Sequence, residues 1–194
     1  VKENFAVINA DDYYGQTSYQ LLGDYLKQSK DGKLAEYSMV GYVLGNTLSD
    51  HGDVNRAVCA TNAAGELQAA VETLKIERDP DDPSMARFPE GDGFKKLSKE
   101  TIVSMNKFGF TPSIFGFMEE DLTEFLKTRR EEPKSELYIP TTVNQLIKDG
   151  RARMMVLPSR ESWFGVTYTD DKPYVVEAIR KLIESGKYPE KLWG

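Results

Sequence analysis

The sequence is poor in the side chains from which redox and imidazole-rich metal sites are built. Its single cysteine, Cys59, rules out a disulfide within the chain and makes a reducing, cytoplasmic setting the expectation. Its single histidine, His51, excludes a site made of several imidazoles. No apolar run approaches the roughly 20 residues of a membrane-spanning helix, so no membrane partner is expected. Positive charge is in the minority: 25 Lys and Arg against 31 Asp and Glu leave a net charge of −6. That balance argues against a general nucleic-acid binder, which needs a basic face. Also missing are internal repeats, low-complexity segments and a glycine-rich loop of the kind that cradles phosphates.

What is present suits a globular chain. Its 194 residues, 40% of them hydrophobic, suffice for one large domain with a substantial core. The stretch FAVINADDYYG, over 5–15, runs from β-favouring residues into two carboxylates, two tyrosines and a glycine. In α/β proteins the carboxyl end of a strand faces the crevice where ligands bind, so Asp11 and Asp12 are candidate ligands for a divalent metal. An ordinary polar turn accounts for the same residues.

A helix is expected over 16–30, with Tyr19, Leu22, Tyr25 and Leu26 on one stripe. Strands are expected over 37–44, 55–60, 101–110, 153–157 and 163–168. Thr111-Pro112 opens a helix with the stripe Met118, Leu122, Phe125 and Leu126. A shorter helix over 141–149 carries Val143, Leu146 and Ile147. Pro173 starts the last helix, whose stripe is Val175, Ala178, Ile179, Leu182 and Ile183. Leu67, Ala70, Val71 and Leu74 give ELQAAVETLKIE, over 66–77, a helical period, although a strand is the alternative. The Pro-, Gly- and Asp-rich segment 79–93 reads as a mobile loop. The alternation of strands and helices predicts an α/β or mixed layered domain.

Five strings together resemble one family: NADDYYG, YSMVGYVLGNTLSDHGDVNRAVC, VSMNKFGFTPSIF, KSELYIPTTVNQLI and WFGVTYTDDKPYVVEAIRKLIESGKYPEKLW. They look like bacterial nucleotidyltransferase-like proteins related to the sugar-1-phosphate nucleotidylyltransferases, over nearly the whole chain except the region around 79–97. The resemblance implies a glycosyltransferase-A-like, Rossmann-type fold, with a mixed central sheet flanked by helices. It also implies Mg²⁺-dependent transfer of a nucleotidyl group from a nucleoside triphosphate to a sugar 1-phosphate, with release of pyrophosphate.

Carried over by position, Asp11 is the first metal ligand, with Asp12 beside it. Glu72 matches the glutamate of the family's Glu-Lys sugar-binding strand, which favours a strand over 66–77. The lysine position is Thr73 here, and Lys75, on the same face of such a strand, is its stand-in. Asn106 and Glu136 are implied on the substrate side. The family's second metal aspartate follows a tryptophan in a Trp-x-Asp-x-Gly pattern, but WFGVT has Gly165 there. Asp170 and Asp171 are the nearest alternatives, with Lys172 next to them as a catalytic candidate. The Asp pair equally suits the cap of the last helix.

The family's glycine-rich nucleotide loop has no counterpart. The expectation is therefore that 1–194 form one partial domain, the C-terminal portion of a larger one, lacking its first βαβ unit and inactive by itself. The alternative is a nucleotide-sugar-binding or regulatory domain that has lost the chemistry. A glycosyltransferase using the Asp-Asp pair is a third, more distant reading.

Overall fold

A computed structural model describes residues 1–49, 52–132, 134–165 and 171–191. Its centre is the most apolar and β-favouring run of the chain, AEYSMVGYV, which forms β3 (Ala35–Val43). Every residue of β3 except Glu36 is buried, as a strand covered on both faces must be. β3 pairs in parallel with β9 (Ala152–Ser159) along one edge and antiparallel with β8 (Ile102–Phe110) along the other. Beyond β8 the sheet continues through β4 (Val54–Thr61), β5 (Leu67–Arg78), β6 (Met85–Glu90) and β7 (Gly93–Ser98), giving the order β7-β6-β5-β4-β8-β3-β9. β1 (Phe5–Val7) also joins β8, antiparallel. β2 (Asp12–Tyr13) and β10 (Phe164–Gly165) form a separate two-stranded ribbon. The mixed sheet flanked by helices agrees with the expected fold class.

Two core clusters occupy the two faces of the sheet. One joins Tyr37, Met39, Phe108, Phe110 and Met154 to Ile114 of α2 (Ile114–Arg129) and to Val143 and Leu146 of α3 (Ile139–Lys148). The other joins Tyr14, Val40, Tyr42, Val103 and Met105 to Leu22 of α1 (Gln16–Gln28). The C-terminal helix α4 (Lys172–Glu184) half-buries the five residues of its expected stripe and fully buries none.

Three expectations are corrected. Segment 66–77 is not a helix: it lies in β5, whose ladder with β4 runs from Thr61↔Leu67 to Val54↔Ile76. Local propensity favours helix there, but pairing with β4 along one edge and burial of Leu67, Thr73 and Ile76 override it. Segment 79–93 is not one loop. Its Pro- and Asp-rich start is a turn held by Asp79, which accepts the amides of Asp81 and Asp82 at 2.9 and 3.0 Å and pairs with Lys96 at 2.8 Å. Beyond that turn the chain forms the β6–β7 hairpin. Finally, the α2 stripe is only partly covered, with Leu122 and Leu126 46% and 49% exposed. Of the expected strand over 163–168, Phe164 and Gly165 form β10, and 166–168 lie outside the described residues.

Helix α1 lies close on β8 because residue 109 has no side chain. A Cβ on Gly109 would stand 2.6 Å from Ser38 Oγ and 2.8 Å from Leu22 Cδ1. Gly109→Ala is therefore expected to destabilise the fold by about 1–3 kcal/mol through overpacking. Urea unfolding of the two proteins measures this, and equal midpoints would contradict the close contact.

Candidate functional site

The site is made by the way β8 divides its outer edge between two neighbours. Ser104 and Val103 of β8 pair with Ala57 and Val58 of β4, whereas Phe108 to Phe110 pair with Val7 to Phe5 of β1. Between those registers β8 bulges: the two steps from Met39 to Gly41 of β3 face four steps, Phe108 to Ser104, of β8. Asn106, in the middle, takes a left-handed backbone with φ 57°. β1 and β4 part at this bulge, and a cleft opens between them.

The cleft has two joined compartments, which share Asn9, Ala57, Glu72 and Asn106. The smaller, about 210 Å³, is lined by Asp11, Asp12, Asn55, Arg56, Ser104 and Trp163 among others. The larger, about 710 Å³, is walled by Val7, Ala70, Phe108 and the start of α3 from Leu137 to Thr141, with Asn144 behind. Asn144 Nδ2 donates to the Ala70 carbonyl at 3.3 Å, tying α3 to β5 across that compartment. Four expected residues thus converge: Asp11, Asp12, Glu72 and Asn106.

The two aspartates differ. Asp11 is exposed at the turn. Asp12 is built in: its Oδ2 accepts Asn9 Nδ2 at 3.0 Å and lies 3.0 Å from the Tyr14 hydroxyl. Across the ribbon Asp12 pairs with Gly165, where a Cβ would come within 2.5 Å of Asp12 Oδ1. The position expected to carry the second metal aspartate therefore faces Asp12 directly, but a glycine occupies it and leaves the carboxylate its space. Among the described residues no three Asp, Glu, His or Cys side chains gather in a metal-holding group.

Other expected site residues lie apart from the cleft. Thr73 turns into the core, 9% exposed, and Lys75 does not share its face. The reason is a bulge in β5 between the pairs Arg56↔Thr73 and Val54↔Ile76, where Lys75 adopts φ 56° and its amide donates to Asn55 Oδ1 at 2.9 Å. Ile76 takes the buried place that simple alternation would give Lys75. Glu136 lines a separate surface hollow with Arg129, Glu131 and Lys134, which adjoins the larger compartment only through Tyr138. Asp171 is the N-cap residue of α4, without a capping hydrogen bond from its side chain, and Lys172 follows it, exposed; neither lines the cleft. Asp170 and His51 lie outside the described residues.

Sequence reasoning missed Arg56, the only cation lining the cleft among the described residues. Its guanidinium stacks 4.7 Å from the Trp163 ring centre and donates to Thr47 Oγ1 and to the carbonyls of Thr47 and Asn55. Burial pulls it down to about 10, with Asp12 and Glu72 pulling the other way. The only signal was an arginine inside an otherwise β-forming run, VNRAVC.

Beneath the cleft the face covered by α1 is unusually polar. Lys107 is fully buried, donates to Ser18 Oγ at 2.8 Å, and stands 3.0 and 5.0 Å from the ring centres of Tyr19 and Tyr14. Burial among these neutral groups takes its ammonium from 10.5 down to about 7. At the start of α1, Glu161 accepts the Thr17 amide at 3.1 Å and its hydroxyl at 2.6 Å, and pairs with Lys187 beyond α4. Burial would raise the Glu161 carboxyl, but Lys187 and Thr17 outweigh it and hold it below the usual range. Gly15, φ 78°, leaves room for that carboxylate.

No protein-family model and no curated protein matches the sequence. Among solved structures, the chain is similar to a Bacillus anthracis protein assigned as a glucose-1-phosphate thymidylyltransferase and solved with sucrose, at 10% identity and a TM-score of 0.51. The chain shares that protein's fold. The match covers 100% of this chain but 57% of that one, so the chain spans little more than half its length. Also similar are a nucleoside-diphosphate-sugar pyrophosphorylase of Vibrio cholerae (12% identity, TM-score 0.45, covering 90% of this chain and 56% of that one) and a Thermus thermophilus protein named as a mannose-1-phosphate geranyltransferase (14%, 0.37, 84% and 46%). The fold assignment rests on the first. No helix of the described residues is long and apolar enough to cross a membrane.

Lys107 gives a pH test of this arrangement. Above about pH 7 the folded protein holds a neutral amine while the unfolded chain still binds the proton, so the unfolded state binds more protons and stability rises with pH. Between about pH 7 and about pH 9 the wild type is expected to gain thermal stability, and Lys107→Met to lose that dependence. The same slope in both proteins would sink the assignment.

Proposed function

We propose that this cleft is part of a nucleotidyltransferase site that joins a nucleoside triphosphate to a sugar 1-phosphate. The observation that carries the reading is the pair of joined compartments, with Asp11 and Asp12 at one end and, at the other, a largely apolar chamber that carries Glu72 and the amides of Asn9, Asn106 and Asn144. In the reaction an oxygen of the acceptor phosphate bonds to the α-phosphorus, the bond from that phosphorus to the β-phosphate oxygen breaks, and pyrophosphate leaves. The acceptor oxygen is already anionic, so no general base is required; orientation and charge stabilisation are.

The donor set fits Mg²⁺, which takes one or two carboxylates and completes its shell with phosphate oxygens and water. Asp12, with Asp11 beside it, would hold the ion, which supplies charge neutralisation at the transferring phosphoryl group. Arg56, which feels the charges of Asp12 and Glu72, adds a positive charge to the cleft wall. Asn9, Asn106, Asn144 and Glu72 offer the amide and carboxylate contacts that sugar hydroxyls require. In this reading the glycine-rich triphosphate loop is supplied from outside these 194 residues, so the chain alone is inactive and the longer parent protein turns over.

A panel of nucleoside triphosphates and sugar 1-phosphates, assayed for pyrophosphate release by the parent protein, tests this. Asp12→Asn is expected to lower kcat/KM by about 100-fold or more. Turnover unaffected by that substitution, or turnover by the isolated chain, would contradict the assignment. Because Glu72 is the one charged side chain lining the larger compartment among the described residues, acceptors with a second anionic group, such as a uronate phosphate, should be poor substrates beside a hexose phosphate with an uncharged sugar. Equal kcat/KM for the two would refute that specificity.

Two observations favour a second reading, a nucleotide-sugar-binding domain without turnover: the absence of a side chain at Gly165 opposite Asp12, and the inward turn of Thr73. Calorimetry separates the two. Nucleotide-sugar binding that is indifferent to Mg²⁺, together with no turnover by the parent, would select the binding domain.

A further inference from the structure

We propose that Tyr14 is the positioning residue of the acidic compartment, its hydroxyl setting Asp12 against the β8 bulge and so fixing the geometry in which Asp12 meets a cation. The proposal rests on the reading of Asp12 as a cation ligand.

The Tyr14 side chain is fully buried although it belongs to the turn that carries the exposed Asp11. Its hydroxyl sits where three parts of the cleft meet. It accepts the Asn9 amide at 3.2 Å, and it lies 3.0 Å from Asp12 Oδ2 and 2.9 Å from the Met105 carbonyl of the bulge. A phenol has one proton, so the carboxylate and the carbonyl compete for it. A bare carboxylate is the stronger acceptor. Once a cation takes up its charge, the Met105 carbonyl becomes the better one. The proton can then change partner by rotation about the C–O bond, with the heavy atoms in place.

The ring itself has no freedom to follow. Tyr42 donates its hydroxyl to the Tyr14 carbonyl at 2.9 Å, and the next carbonyl, that of Gly15, accepts Ser18 Oγ at 2.7 Å. Ser18 Oγ in turn accepts Lys107 Nζ at 2.8 Å, and Lys107 comes from β8 at the bulge. The turn is therefore tied to β3 and β8 from below, while Asn9 closes it from above by donating its side chain to Asp12 and its amide to Tyr14. Asp12 has little choice of orientation in such a frame. Through Met105 the same hydroxyl also steadies the backbone beside Asn106, which lines both compartments.

The test uses Mn²⁺ alone as the probe, titrated into the 194-residue chain and followed by the paramagnetic resonance of free Mn²⁺. Asp12→Asn is expected to abolish binding, and Tyr14→Phe, which removes only the hydroxyl, to weaken it about tenfold, as loss of a partner behind a metal ligand does. Tyr37→Phe serves as the comparison. It removes another buried tyrosine hydroxyl, one that meets Ser113 Oγ at 3.0 Å on the α2 side of the sheet, and should leave Mn²⁺ affinity unchanged. Thermal melts show whether either variant has lost its fold. Wild-type affinity in Tyr14→Phe, or equal weakening in the two tyrosine variants, overturns the role of Tyr14 while leaving the cation site intact. Failure of the wild-type chain to bind Mn²⁺, or equal binding by Asp12→Asn, overturns the cation site itself and the proposal with it.

Discussion

A strand edge can hydrogen-bond to one neighbour at each point along its length, and β8 spends its outer edge on two. Pairing with β4 at Ser104 and with β1 at Phe108 leaves Met105 to Lys107 between them. The bulge against β3 absorbs the mismatch there. An even number of extra steps preserves the alternation of faces, so Val103, Met105, Lys107 and Gly109 all point toward α1, while Ser104, Asn106 and Phe108 point toward α3 or the cleft. The cleft, the unpaired stretch that Tyr14 reaches and the burial of Lys107 all follow from that one compromise. Bulges recur beside functional sites because they re-aim side chains without breaking the sheet.

The two faces of the sheet do different work. The α2–α3 face is a conventional apolar core of Phe, Met, Val and Leu. The α1 face places Tyr14, Tyr42, Ser18, Ser38 and Lys107 within the buried region. Each buried polar group there carries a desolvation penalty, which hydrogen bonds offset for Tyr14, Tyr42, Ser18 and Lys107 but not for the unpartnered Ser38 hydroxyl, and an apolar core would avoid it. What such a network supplies instead is a defined geometry for the turn above it. The ion pair of Glu161 with Lys187 extends this toward the C-terminal helix, since the same carboxylate serves the start of α1. The βα turn bearing Asp12 is thus braced by side chains from β3, β8, α1 and the segment after α4.

Electrostatically the cleft is acidic, with Asp11, Asp12 and Glu72 against Arg56. Two anionic substrates would not enter such a space unaided, which is why the nucleotidyltransferase reading calls for a divalent cation at the acidic end. Among the described residues the larger compartment carries no charge apart from Glu72, and shape and neutral hydrogen bonding dominate there.

Local pattern alone determined the layered α/β class, the central strands β3 and β8, the stripes of α3 and α4, and that of α1 apart from Tyr19, which is 47% exposed. It put Asp11-Asp12 at the end of the first strand, whereas β1 stops at Val7 and Asp12 opens β2. Each of these depends on the order of residues within a window of a few turns or strand lengths. Family resemblance added Glu72 and Asn106, which do reach the cleft. Tertiary structure decided the rest. ELQAAVETLKIE carries a helical period, and only pairing with β4 made it a strand. The hairpin after Asp79 has a Pro- and Asp-rich turn that hid two strands behind it. Lys75 was placed by assuming unbroken alternation, but a bulge whose cause lies in β4 turned it away. Arg56, Tyr14 and Lys107 owe their places to partners as far along the chain as Trp163, Met105 and Ser18. No local signal reports such meetings, because register and bulges are set where strands pair, and pairing joins residues far apart in sequence.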